Sequence, residues 1–455
     1  MWLWLTALAA ASDLLIADVQ LWDGTGAPVQ NNVDILIQGD RIAAIGSDLV
    51  APDGAEVLDG AGATAIPGLI DSHVHLSLDP GGAWREDTPA DHAAFMDQYL
   101  RAYLACGVTT ILDPAILPGE AGLARMKLAN GAPGPRFLSL GTPFSPDGGY
   151  VSVVIPAFPS VGTAEEVEAQ LDAQQAAGVV GIKVTFEHGM VGKIWPVHAP
   201  EIRTAIREGA KKRGLDVYVH AMSPEEQSIA VTHFGARGTM HLLEKPHKKT
   251  IELLAKHRVY EVTTLSALDS QRTAWTPERL NDPLVQLTVP AVQLATARDP
   301  EKIRSFHEFT LKTLMPRMPA KGLIRKIVFK DRTVRRRLTH MGQSLVALQK
   351  AGVPLVMGSD SGNWPVMPFE FHGPTSIREM ELLGEYGLTP VQALTAATRT
   401  PAEMLKIDAG IVAVGQIADL VIVNGDPTTN LSALRDLRWT VRNGEARTPE
   451  AWMKP

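Results

Sequence analysis

From residue 65 to residue 362 the chain alternates between short apolar runs and helical stretches, and this rhythm constrains the fold more than any other feature. Eight runs have strand length: AIPGLIDSHVH (65–75), VTTILDPAI (108–116), RFLSLGTPF (136–144), GIKVTF (181–186), LDVYVHAM (215–222), GTMHLLE (238–244), VYEVTTLS (259–266) and VPLVMGSDSG (353–362). Helical segments such as TAEEVEAQLDAQQAAG and PEIRTAIREGAKKRG separate most of them. Strands alternating with helices imply parallel βαβ units. Eight such strands make up a (β/α)8 TIM barrel, an α/β fold, over residues 65–407.

Both flanks read differently. LLIADVQLWDG and NNVDILIQGDRIAAIG, within 13–64, alternate apolar and polar residues between turns, the mark of antiparallel strands. GQIADLVIVNGDP and LRWTVRNGEA, within 408–448, return to β patterning, so the two ends are expected to pair beside the barrel. Between the seventh and eighth strands lies an insertion, about residues 267–352, placed where a lid over a barrel mouth would be. Its basic cluster KDRTVRRR (330–337) reads as a solvated helix face.

Composition narrows the function. The chain has 455 residues, with 45% hydrophobic and 20% charged, as in a globular protein. A net charge of −7 gives no reason to expect a nucleic-acid partner. The single cysteine, Cys106, excludes an internal disulfide and a thiolate-rich zinc site. No internal apolar run reaches the roughly 18 residues of a membrane helix. The opening MWLWLTALAAAS (1–12) resembles a secretory signal peptide ending near Ala11, although it lacks a basic start. An apolar first turn packed on the body is the other reading, so exported and cytoplasmic locations both stay open, as does association with further copies of the chain.

The chemistry gathers at the C-terminal ends of the strands. His73 and His75 end the first, Lys183 lies in the fourth, His220 ends the fifth, His241 the sixth and Asp360 the eighth. In a barrel all these ends face one mouth, where active sites sit. Residues 73 and 75 share one side of their strand, so both imidazoles can reach one ion. Four imidazoles and a carboxylate without thiolate favour zinc or another first-row divalent ion. Lys183 is the odd member, because an ammonium repels cations. Burial would depress its pKa, and the neutral amine could add carbon dioxide to form an anionic carbamate bridging two metals. The plainer alternative is a lysine paired with an acid. HLLE (241–244) carries a His-x-x-Glu pattern, but Glu244 falls on the loop after the strand. Asp71 either orients the ligands or caps its strand.

At these residues the sequence resembles the amidohydrolase superfamily over nearly its whole length. PGLIDSHVH resembles the family's first-strand signature, and ADLVIVNGDP and VRNGE its C-terminal sheet segments. HGPTSIREMELLGEYGLTPVQALTAATRTPAEML resembles the helices after the barrel in the imidazolonepropionase-like and prolidase-like branch. The resemblance implies a barrel with a composite β-sandwich built from both chain ends. It implies two divalent metal ions: His73 and His75 on the more buried, His220 and His241 on the more exposed, carboxylated Lys183 between them. Asp360 would bind the buried metal and move the proton of the attacking water. GNWPVMPFEFHG (362–373) and the insertion depart from the family pattern, and both bear on substrate identity.

The expected activity is hydrolysis of an amide C–N bond by a metal-bridged hydroxide, on a small molecule such as a dipeptide or N-acyl amino acid. A lactone or phosphotriester hydrolase would use the same site. A mononuclear cyclic-amide hydrolase or deaminase, and a scaffold without activity, are further alternatives. His188, Tyr218, Asn363, His372 and Arg378 are the candidate substrate contacts, an arginine being suited to a carboxylate.

Overall fold

The structure, a computed structural model, describes residues 13–76, 89–189, 194–313, 327–362 and 369–455. The expected leader 1–12 and Asn363 lie outside the described residues.

Five strands come first: β1 (Leu14–Leu21), β2 (Gln30–Gln38), β3 (Arg41–Gly46), β4 (Glu56–Asp59) and β5 (Thr64–Pro67). Eight more follow at the expected apolar runs: β6 (Leu69–Asp71), β7 (Val108–Asp113), β8 (Arg136–Ser139), β9 (Gly181–Thr185), β10 (Asp216–His220), β11 (Gly238–Met240), β12 (Tyr260–Val262) and β13 (Leu355–Val356). These eight are parallel, in the runs β6-β7-β8 and β9-β10-β11-β12-β13. Two seams link the runs. Phe144, beyond β8, bridges Val184 of β9, and Val74, beyond β6, bridges Ser361, beyond β13. Backbone bonds fix each seam: Phe144 N–H to Lys183 O at 2.8 Å, and Asp360 N–H to His73 O and His75 N–H to Ser361 O at 2.7 Å each. The result is a TIM-barrel-like domain.

Its interior is packed at one end. Ile70, Leu112, Leu140, Tyr218, Met240, Val262 and Val356 form a buried layer, and Ala402, Met404 and Leu405 of the helix Arg399–Leu405 pack against it. Each such side chain contributes roughly 1.5–3 kcal/mol by leaving water. This plug leaves the opposite end, where the strand C-termini lie, for a site.

Both chain ends meet in one eight-stranded mixed sheet, completed by β14 (Leu420–Val423), β15 (Leu437–Arg442) and β16 (Glu445–Arg447). The order is β16-β15-β14-β5-β1-β2-β3, with β4 alongside β1. β14 (LVIV) is buried at every position and pairs antiparallel with β5, which tethers the last strands to the entrance of the barrel.

The insertion is helical: Leu265–Asp269, Pro283–Thr288, Ala291–Arg298, Pro300–Thr313 and Asp331–Lys350. The last of these buries Val334, Leu338, Met341, Leu345 and Leu348, spaced three and four residues apart along one helix face. Arg332, Arg335 and Arg336 are exposed, as the solvated-face reading expects, whereas Arg337 is half-buried. Among the described residues no helix is long and apolar enough to cross a membrane.

Candidate metal centre

Strands β9 and β10, which carry Lys183 and His220, and the loops after β6, β11 and β13, which carry His73, His75, His241 and Asp360, bring all six to the wall of one cavity of about 210 Å³. All six are buried. His75 Nε2 lies 3.0 Å and His73 Nε2 3.3 Å from Asp360 Oδ1, and His241 Nδ1 lies 4.0 Å from Asp360 Oδ2. His220 packs edge-on against His241, ring centroids 4.4 Å apart.

These groups suit cations. One donor atom from each of His73, His75 and Asp360 falls within 4.8 Å of the other two. His73 Nδ1 is buried with no hydrogen-bond partner. Burial drives the imidazoles of His73 and His241 well below the usual histidine range, and that of His220 down to about 3, so they stand neutral with lone pairs available. Burial acts against the charged form of Asp360, but the facing His73, His75 and His241 outweigh it and hold the carboxyl well below its ordinary value. Burial also lowers the Lys183 ammonium to about 7, against the pull of Asp360 and Asp113, so a large fraction is neutral amine near pH 7. That is the form able to take up carbon dioxide.

Several groups that hold this arrangement were not singled out from the sequence. Asp113, at the end of β7, accepts from the backbone of Leu76 (2.8 Å) and Ala115 (3.0 Å), and its Oδ1 is 3.8 Å from His75 Nδ1. Glu187 Oε2 is 3.6 Å from His220 Nε2. Glu261 accepts from Gln227, Thr239 and the Leu243 N–H, bracing the loop that carries His241. An acid at or just after a strand end is the only sequence signal that Asp113 and Glu187 carry. Asp71 caps its strand end through backbone and hydroxyl partners: it accepts from the backbone of His73 (3.2 Å) and Ser359 (2.9 Å) and from the Ser376 hydroxyl (2.6 Å). It therefore ties the first ligand segment to the last.

The backbone is strained here. His241 (φ 84°), Asp360 (φ 58°) and Thr264 (φ 65°), whose hydroxyl lies 2.9 Å from His241 Nδ1, all occupy positive φ. Each costs on the order of 1–3 kcal/mol and persists only where the surroundings enforce it. Gly362 (φ 97°) follows, and a Cβ there would collide with the His75 carbonyl and the His372 ring.

The expected substrate contacts fare differently. Tyr218 faces the barrel axis but lies in the packed layer, its hydroxyl donating to Met404 O at 3.3 Å. His372 is buried against Tyr103, 2.8 Å from Nδ1 to the phenol oxygen. Arg378 lines a second cavity and binds Asp269 and Glu385. His188 Nδ1 is 3.1 Å from Glu226. None of these four is on the wall of the metal cavity.

The amidohydrolase family model matches residues 64–446, and the chain belongs to this family. The dihydroorotase of Mycobacterium tuberculosis is 44% identical over 204 residues, covering 45% of this chain and 41% of that enzyme. The allantoinase of Enterococcus faecalis is 37% identical over 83 residues, 18% of this chain and 16% of that enzyme. The chain thus spans less than half the length of the relatives it matches in sequence. Among solved structures, a Xaa-Pro dipeptidase with methionine bound in its active site superposes with a TM-score of 0.72 at 21% identity, covering 96% of this chain and 100% of that one. An A. niger ochratoxinase superposes with a TM-score of 0.71 at 18% identity, covering 96% of each chain. These two likenesses concern the fold.

Proposed function

We propose that the chain is a metal-dependent hydrolase of an amide C–N bond, acting on a dipeptide or N-acyl amino acid from a (β/α)8 barrel (65–407) flanked by a β-sandwich of both chain ends (13–64 and 408–448). One observation carries the reading: four imidazoles, a lysine and a carboxylate from five strand ends share one buried cavity. His73, His75 and Asp360 would hold one divalent ion, His220 and His241 a second, with carboxylated Lys183 between; the donor set favours zinc. Bound there, such ions lower the pKa of water from about 15.7 to about 7 and polarise a carbonyl. The residues do the rest. Asp360, ionised and facing the cavity, accepts the proton of the attacking water and delivers it to the leaving nitrogen, base first and acid second. Protonation matters because an amide nitrogen leaves poorly as an anion. Asp71 and Asp113 keep the ligand backbone in register throughout.

The test is metal analysis together with a substrate panel of dipeptides, N-acyl amino acids, lactones and phosphotriesters. Two divalent ions per chain and C–N turnover are expected. Turnover confined to lactones or phosphotriesters, or a chain that binds no metal, overturns the proposal.

A further inference from the structure

We propose that Arg337 receives the carboxylate of an N-acyl amino acid whose acyl group is apolar; this rests on the amide-hydrolase function proposed above and narrows its substrate. The cavity over the ligands is lined by Tyr150, Ile155, Phe306, Phe309, Phe329 and Met341, a wall suited to an aromatic or long aliphatic group. Among the described lining residues Arg337 is the one guanidinium, and the one lysine, Lys183, sits among the imidazoles.

Helix phase puts Arg337 there. It is four residues from Met341, hence on the same face, while Arg332, Arg335 and Arg336 point to water. Its place relative to the ligands can be read from Glu244, which lies three residues past His241. The Glu244 N–H donates to the carbonyl of Met222, two residues past His220, at 3.2 Å. Arg337 Nη2 donates to Glu244 Oε1 at 3.3 Å. The guanidinium therefore stands on the His220 and His241 side of the cavity. The Glu244 pair is partly exposed, a kind that contributes little. A guanidinium has five N–H donors and pairs side by side with a carboxylate, so a substrate anion can bind beside Glu244 or displace it.

The same wall argues against a free dipeptide. Its ammonium would need an anion, and among the described lining residues the one carboxylate is Asp360, already committed to three imidazoles. In an N-acyl amino acid, hydrocarbon stands where the dipeptide carries its ammonium and meets the apolar wall, while the uncharged acylated nitrogen is the one Asp360 protonates.

The experiment uses N-decanoyl-leucine, its C-terminal carboxamide and N-acetyl-leucine. With the metal-loaded enzyme, Arg337→Gln is expected to lower kcat/KM for N-decanoyl-leucine by roughly 10- to 100-fold, mostly through KM, the range for a lost hydrogen bond to a charged group. The carboxamide should change less than about threefold, Arg337→Lys should restore part of the loss, and N-acetyl-leucine should be the poorer substrate of the wild type. Binding is measured separately in an Asp360→Asn background, with and without Arg337→Gln, by calorimetry. Tighter binding of the acid than of its carboxamide, lost with Arg337→Gln, supports the site even if the wild type hydrolyses neither, in which case the amide-hydrolase reading alone fails. Equal binding of acid and carboxamide overturns the Arg337 site whatever bond the enzyme cleaves.

Discussion

Lys183 and Asp360 are the residues on which the proposed chemistry turns, and each makes a separate prediction. Lys183→Ala removes the anionic bridge, so metal content is expected to fall from two ions per chain to about one, read by elemental analysis; two ions retained would refute the bridge. Asp360→Asn keeps the size of the side chain but loses both the proton acceptor and an anionic metal donor, so kcat of the metal-loaded variant is expected to drop by at least about 10²- to 10⁴-fold, the usual worth of general acid–base help alone. The gathering of the six candidate ligands was legible in the sequence because strand-end position marked the four histidines and Asp360, while Lys183, in mid-strand, stood out by its charge. Tyr218 was not placed correctly by strand parity. It shares parity with His220 but lies two residues earlier, about 7 Å down the strand. Parity distinguishes inside from outside, not the mouth from the packed end. Arg378 was misplaced for another reason: nothing local in SIREME discloses that Asp269, 109 positions away, holds it elsewhere.

At the scale of elements, Asp269 ends the short helix Leu265–Asp269 and binds Arg272 (2.8 Å), Arg279 (2.8 Å) and Arg378 (2.9 Å). It thereby joins three segments of the mouth. Burial pushes its carboxyl up, but Arg378 and Arg279 outweigh this and hold it at about 2. An unfolded aspartate titrates near 3.9. The stabilisation is therefore full above about pH 4 and is lost as pH falls through 2. Asp269→Asn leaves arginines uncompensated and is expected to cost about 3–5 kcal/mol in urea unfolding at pH 7; an unchanged midpoint would show the network to be idle. Glu379 has the opposite sign. It accepts from Thr263 and from the backbone of Leu265 and Ser266, and burial raises its carboxyl to about 7. Its folded form holds a proton that the unfolded chain releases near 4.3, so stability falls as pH rises from about 4.3 to 7. Glu379→Gln is expected to flatten that limb of a melting-temperature profile, and a profile parallel to wild type would exclude the assignment. The basic cluster shows the limit of composition at this scale. Charge density marks a helix face, whereas only the register of the whole helix Asp331–Lys350 turns Arg337 inward.

For the whole molecule, the eight parallel strands were readable because each is a short apolar run between helices, and the run at 353–362 was overextended: only Leu355–Val356 is strand. Gly358 packs against His73, and positive φ at Asp360 turns the chain. The pairing of both ends was readable from β patterning on each side of the barrel, but their register was not, since it depends on partners more than 350 residues apart, such as Ala65 and Ile422. A chain ending at residue 407 loses β14, the strand between β5 and β15, and strips Ala65 and Ile66 of their cover. It is expected to be insoluble or molten, judged by soluble yield and near-ultraviolet circular dichroism; a cooperative melt at the wild-type temperature would contradict this. The seam at which His73 and His75 hydrogen-bond to Asp360 and Ser361 joins one of the earliest parts of the barrel to its final strand. During synthesis the two opening imidazoles leave the ribosome nearly three hundred residues ahead of the carboxylate that completes their set. A cation held by His73, His75 and Asp360 would find its full set of donors only after the last strand of the barrel is made.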